Sequence, residues 1–364
     1  MNPAAVTVDS CTNLSALDNH SQALSPGEYV PDIFFKHVVK VLQLYCFPVV
    51  VVLGICGNTV SAVVFLSTRL RRLSSAIYLL VLALSDSVFL LTNFLIWLTS
   101  LSVNAVNVNG VCQLTVYFNH VSSCLSAWLV VGFTVERYIA ICHPLKRPEM
   151  CTVFRAKIVT ASLALGSALL YCYQLWSTHL SNVNGPMCVT VGRHVEVVAA
   201  MGNVDVVVTL IVPVCTIFWL NITMLIQICG IYKTSNEIRA SQQNKETTRN
   251  KAQVKITKLL IIVSTVFLVL NSPSGVLRVK WFAQRLLNSE YVPSGPEKML
   301  QQLFQFLFTV NFAINFVLYS LCGNNFRKSL RSLCGFKILP RRHVSKYSMK
   351  YSSAYDTNTM CDSV

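Results

Sequence analysis

An adjacent acid and base, Glu136 and Arg137, close an apolar run that extends over residues 110–135. About 20 helical residues at 1.5 Å rise each cross the hydrocarbon of a bilayer, so this run is long enough to span, and the pair falls where lipid meets water. There an Arg can pair with its neighbouring carboxylate, reach along its own stem to the interface, or contact a partner protein. The plainer alternative is an interfacial anchor. A second acid, Asp86, stands inside the apolar run Leu82-Ala83-Leu84-Ser85-Asp86, as Asn58 stands in an earlier one, and such groups must face one another rather than lipid. Ser126, Asn311 and Asn315 would place oxygen ligands for a small hard cation beside Asp86. The alternative is a water-filled hydrogen-bond network around a protonated Asp86.

The rest of the chain must supply helices to hold these groups. Its 364 residues are 53% hydrophobic and only 12% charged, with a mean hydropathy of +0.53. Ordinary soluble domains carry about 25% charged residues, so the composition points to a membrane. Residues 1–32 lack the basic start and apolar core of a secretory signal, and the first span is expected to act as its own targeting signal. The net charge of +15 would suit nucleic acid if it were spread evenly, but it sits in alternate connectors. Arg69, Arg71 and Arg72 form one cluster, Lys146, Arg147, Arg155 and Lys157 a second, and residues 233–258 and 327–350 the others. This alternation predicts an outside N-terminus and an inside C-terminus, hence an odd number of spans. No nucleic-acid partner is implied.

Apolar runs at 38–66, 75–99, 110–142, 156–177, 198–231, 254–284 and 299–321 satisfy that count. They must be helices, because lipid offers backbone groups no partner and the runs are too long for barrel strands. Most of the fourteen cysteines lie in or beside these runs as small hydrophobes. Cys112 and Cys188 fall on the expected outside, where oxidation is permitted, and are expected to pair, leaving Cys11 over. Asn13 and Asn19 begin acceptor sequons in the expected extracellular tail, whereas the sequon at Asn221 lies in a span and should stay bare. After the last span, residues 325–334 put Phe326, Leu330 and Leu333 on one side and Arg327, Lys328 and Arg331 on the other, an amphipathic surface helix with Cys334 as a palmitoylation candidate.

Residues 128–146 read Trp-Leu-Val-Val-Gly-Phe-Thr-Val-Glu-Arg-Tyr-Ile-Ala-Ile-Cys-His-Pro-Leu-Lys. From Glu136 onward this resembles, over eleven consecutive residues, the signature that closes the third transmembrane helix of rhodopsin-like (class A) G-protein-coupled receptors. The resemblance implies that Glu136 holds Arg137 in the resting state and that Arg137, with Tyr138 and Tyr319, meets a heterotrimeric G protein after activation. It also makes Asp86, Ser126, Asn311 and Asn315 similar to the family's sodium pocket, and makes the loop carrying Cys188 a lid tied to Cys112. Phe267 and Pro273 keep the family spacing in the sixth span, and Pro213 is expected to kink the fifth. Elsewhere the chain departs from the family: Ala164 replaces a Trp, Asn221 a Tyr, and Leu270-Asn271 the usual Cys-Trp. Asn271 is expected to hydrogen-bond inside the core. Phe316 replaces a Pro in Asn315-Phe316-Val317-Leu318-Tyr319, so the seventh helix is expected to be straighter than usual. An Asn before Pro273 and the Ile-Asn-Phe-x-Leu-Tyr ending both resemble peptide-type receptors.

Asn119 stands where amine receptors of the family place an Asp, and residues 299–322 contain no Lys for a Schiff base, which disfavours amines and excludes a light sensor. Polar groups near the outside are His120, Asp205, Arg278, Lys280, Gln302 and Gln305. The Arg278 fork suits a carboxylate or an amide carbonyl, and Asp205 suits a cationic ligand residue; Arg278 pairing with Asp205 itself is the alternative. His120 is expected to be a satisfied packing residue. The reading is an all-α, seven-transmembrane helix bundle in the plasma membrane. Residues 1–37 form an extracellular tail, 38–322 the bundle, 323–335 the amphipathic helix and 336–364 a disordered cytoplasmic tail. Its agonist would be a neuropeptide and its output a G protein, with an arrestin-type regulator drawn to Ser345, Ser348, Ser352 and Ser353. The alternative ligand is a lipid or small chemosensory molecule. An enzyme is disfavoured because the seven histidines show no metal-binding spacing, and a transporter because no halves repeat. No cofactor is expected beyond the sodium ion.

Overall fold

The computed structural model describes residues 30–101, 103, 105–181, 187–190, 194–238, 245–288, 291–333 and 335. Asn13, Asn19, Cys334 and the tail serines lie outside the described residues. Six helices are long and apolar enough to cross a membrane: Phe35–Ser67, Ser74–Ser100, Val111–Cys142, Val153–Ser177, Glu196–Gly230 and Ile261–Arg285. The bent pair Gly295–Ala313 and Asn315–Leu321 makes a seventh span. The expected positions hold to within a few residues, except that helix already begins at Val30, inside the expected tail, and that the sixth helix runs back to Lys245.

Side chains on these helices divide by surroundings. Leu53, Leu66, Leu169, Trp219 and Ile226 face outward, as lipid-covered residues do, while polar groups turn inward. Asn58, Asp86, Ser126, Asn311 and Asn315 are all buried. Around them packs an apolar cluster that includes Phe65, Leu82, Leu129, Phe133, Phe267 and Tyr319, with Phe89, Phe312 and Val51 forming a second. The amphipathic helix Asn324–Leu333 docks Phe326 against Phe65 and Tyr319.

Local sequence explains the ends and breaks. Thr152 accepts from the backbone N–H of Arg155 and caps the fourth helix. Ser294 and Glu297 form a reciprocal capping box at the start of the seventh. Pro213 has no N–H to give, and the turn before it widens into a π-helix over Val206–Ile211. Between the fourth and fifth spans, strands β1 (Thr178–Ser181) and β2 (Met187–Thr190) pair antiparallel, a hairpin the helical reading did not include. Cys188 on β2 is bonded to Cys112 at the start of the third span, as expected.

The seventh span bends without a proline: its two helices meet at 51° around Ile314. Neighbours hold the bend instead. Asn58 donates to the Phe312 carbonyl at 2.9 Å, just before the bend, and Asn315 just after it donates to Asp86 at 2.6 Å. Phe316 lies where the bare Cα of Gly57 leaves room, since a Cβ on Gly57 would come within 2.8 Å of the Phe316 Cβ.

Candidate functional site

Three groups of polar residues run through the bundle. At the end opposite the disulfide, Glu136 and Arg137 form an ion pair, both nearly sealed, with 6% and 7% side-chain exposure. Ser74, at the start of the second span, donates to the same Glu136 oxygen at 2.9 Å. Two donors on one carboxylate oxygen fix its position, and charge-assisted bonds of this kind are the strong ones. Cys151, in the connector before the fourth span, points its thiol at the Glu136 carbonyl at 3.6 Å; burial, and then the Glu136 charge, push that thiol up. Tyr138 packs edge-on against His143. The Tyr319 hydroxyl is buried without a partner among Phe65 and Phe326.

Midway along the bundle, Asp86 receives Ser126 on one oxygen at 2.7 Å and Asn315 on the other at 2.6 Å. Asn311 is buried one turn before Asn315. Of the three residues expected beside Asp86, Ser126 and Asn315 are bonded to it. Asn221 and Asn271, at two positions where the chain departs from the family, are both bonded. Asn221 on the fifth span and Ser264 on the sixth bond reciprocally at 2.8 and 3.0 Å, and Asn271 donates to the Phe267 carbonyl at 2.6 Å.

Toward the disulfide end, Asp205 sits where the fifth helix widens. Its Oδ2 meets Arg278 at 3.5 Å, so the two charges proposed to grip a ligand grip each other here. Oδ1 accepts from Tyr171, at the end of the fourth span, and from Thr209 at 3.0 Å. The Arg278 guanidinium lies over the Phe308 ring, 5.8 Å from its centroid, a cation–π arrangement with the seventh span. The carboxylate thus ties together the fourth, fifth and sixth spans, and Arg278 adds the seventh through Phe308. A cavity lies beneath, lined by Arg278 with Thr209, Phe267, Asn271, Ser274 and Phe308 among others. Asn119 donates to Thr92 at 3.0 Å, and His120 bonds the Val116 carbonyl and packs on Tyr171, as a packing histidine would. Gln305 buries its side-chain oxygen on the seventh span. Lys280 and Tyr291 both bond Glu297, which links the sixth and seventh spans at this end.

An intramembrane acid, a sealed Glu-Arg pair at one end and a disulfide-tied hairpin near a polar cavity at the other form a constellation that a family comparison resolves. Residues 57–319 match the model of the 7 transmembrane receptor (rhodopsin family). The chain belongs to that family. The receptor is 27% identical to the thyrotropin-releasing hormone receptor of Ovis aries, over 82% of this chain and 79% of that protein. It is 26% identical to the FMRFamide receptor of Drosophila melanogaster, over 77% and 51%. With the somatostatin receptor type 2 of Mus musculus it shares 23% identity over 88% and 84%. The family is one of receptors, not enzymes.

Sequence reasoning missed Ser74, Tyr171, Thr209 and Ser264. Tyr171 stands 34 residues from Asp205 and Ser74 62 from Glu136, so no local spacing connects them. Each is an ordinary residue until the helices are rotated into place.

Proposed function

We propose that this receptor binds an extracellular peptide agonist between the disulfide end and Phe267, and activates a heterotrimeric G protein at the Glu136–Arg137 end. The observation that carries the reading is the buried Glu136–Arg137 pair under Ser74, set at the end opposite the disulfide and the Arg278-lined cavity. The relatives' names, hormone and peptide receptors, support a peptide over a lipid, as do the two charges at Asp205 and Arg278. The basic clusters at the Glu136 end support a plasma-membrane orientation with the N-terminus outside and glycans at Asn13 and Asn19. The same orientation puts Cys334 and an arrestin-recruiting serine tail inside.

An agonist that prefers the state with Arg137 released shifts an existing equilibrium, and a G protein favouring that state is thereby coupled to the cavity. The relay between them runs through Asn271 and the Asn221–Ser264 bridge rather than through a Trp or Tyr. A sodium ion at Asp86 belongs to this reading. The Asp86 carboxylate and the Ser126 hydroxyl, with Asn311 and Asn315 close by, fit a small hard cation in donor chemistry. When bound there, sodium would supply a positive charge opposite Asp86. Expression of the chain with a promiscuous G protein, and a screen of a neuropeptide library for calcium release, tests the function. A library-wide silence from receptor present at the surface would remove the peptide.

A further inference from the structure

At the disulfide end, the polar side chains of spans two to six described above are bonded within the protein. Asn119 is held by Thr92, His120 by the Val116 carbonyl, and Asp205 by Tyr171, Thr209 and Arg278. The seventh span differs. The side-chain carbonyl oxygens of Gln301, Gln302 and Gln305 are all buried, and none accepts a hydrogen bond. Buried unpaired acceptors are rare in native proteins, because each forfeits its bonds to water without replacement.

They lie one to two turns before Phe308, a seventh-span residue that lines the cavity. The Gln301 amide nitrogen donates to Ser274, a cavity-lining residue, at 3.2 Å. Gln305 follows Gln301 by four residues and precedes Phe308 by three, and Phe308 and Phe312 line the same cavity. Residues at those intervals share one helix face. Gln302 stands three before Gln305 and flanks the stripe. All three unpaired atoms are acceptors, so their complement must bring N–H or O–H donors. A carboxylate would set acceptor against acceptor. The cation that would otherwise draw a carboxylate, Arg278, is committed to Asp205 and Phe308. On the sixth span, three residues beyond Arg278, the indole N–H of Trp281 is also buried and unpartnered. Toward the disulfide end, the unpaired buried groups of these two spans among the described residues are therefore three acceptors and one donor.

We infer that the glutamine face of the seventh span is a subsite for a primary carboxamide. Two amide N–H groups meet the glutamine oxygens, and the amide carbonyl accepts from Trp281. A peptide seated there ends in an uncharged amide, not a free acid. The inference rests on the peptide reading of the agonist and names the end of the peptide that enters deepest.

The test uses short peptides made in pairs, carboxamide and free acid, applied to cells carrying the full chain with a promiscuous G protein. The carboxamide should be the agonist, its acid weaker by about tenfold or more, because a site built for a donor rejects the analogue that lacks it. Gln302→Leu and Gln305→Leu should each cut the potency of the carboxamide and narrow its margin over the acid. An acid as potent as its amide, or a margin unchanged in both variants, overturns the subsite. A second measurement needs no ligand. In purified receptor, Gln302→Leu and Gln305→Leu should raise the melting temperature, since each removes an unpaired buried acceptor. Gln174→Leu should lower it, because the Gln174 amide is bonded at both ends, to Tyr173 and Thr178. A fall in both seventh-span variants would show that their oxygens are bonded inside the protein, and would overturn the subsite even if peptides work. A library silent in both forms, with melting temperatures raised, would remove the peptide while supporting a donor-binding face.

Discussion

Ser74 gives its hydroxyl to the oxygen of Glu136 that also holds Arg137, at 2.9 Å. Ser74→Ala should loosen the resting pair. A buried hydrogen bond to a charged group contributes about 1.5–3 kcal/mol, so agonist-independent second-messenger output per surface receptor should rise by about tenfold or more. Output equal to wild type would mean that Ser74 only packs.

Arg137→Ala should abolish agonist-driven signalling while agonist still binds, because Arg137 lies at the far end of the bundle from the cavity. Saturation binding and calcium release on the same cells separate the two. Robust signalling by the variant would show that the Glu136–Arg137 pair is not the output.

Asp205→Ala and Arg278→Ala should each lower agonist potency at unchanged surface expression, by about tenfold where one charge is left unpaired. As the two side chains touch, the double variant should lose less than the sum of the singles. Potency unchanged in both singles would take the site away from this carboxylate, and strict additivity would deny the coupling.

Sodium should weaken agonist binding to the wild type, and Asp86→Asn should remove that dependence. A wild type indifferent to sodium would leave Asp86 as the centre of a hydrogen-bond network with Ser126 and Asn315 alone.

Gly57→Ala should lower the melting temperature, because its Cβ would press on Phe316 where the seventh span bends. Overpacking of this kind costs about 1–3 kcal/mol. Phe316→Ala in the same molecule should return part of the loss; no recovery would place the strain elsewhere.

Hydropathy, charge alternation and short-range spacing carried far along the chain. Seven spans and the adjacency of Glu136 and Arg137 follow from the order of residues, whereas the Cys112–Cys188 bridge is expected from topology and the grouping around Asp86 from polar residues in spans and a family resemblance. Burial in lipid is a property of a continuous stretch, and an adjacent acid and base need no fold to meet. Tertiary structure decided the rest. Whether Arg278 faces a ligand or Asp205 depends on how two helices 73 residues apart are rotated, and nothing local records that rotation. The same holds for Ser74 beneath Glu136 and Tyr171 beside Asp205. The seventh span shows the limit most clearly: without a proline nothing local marks a bend, yet Asn58 and Asp86, from other spans, bond either side of one of 51°. Backbone preference is written in neighbours along the chain, but a bend held by side chains from other helices is written only in their packing.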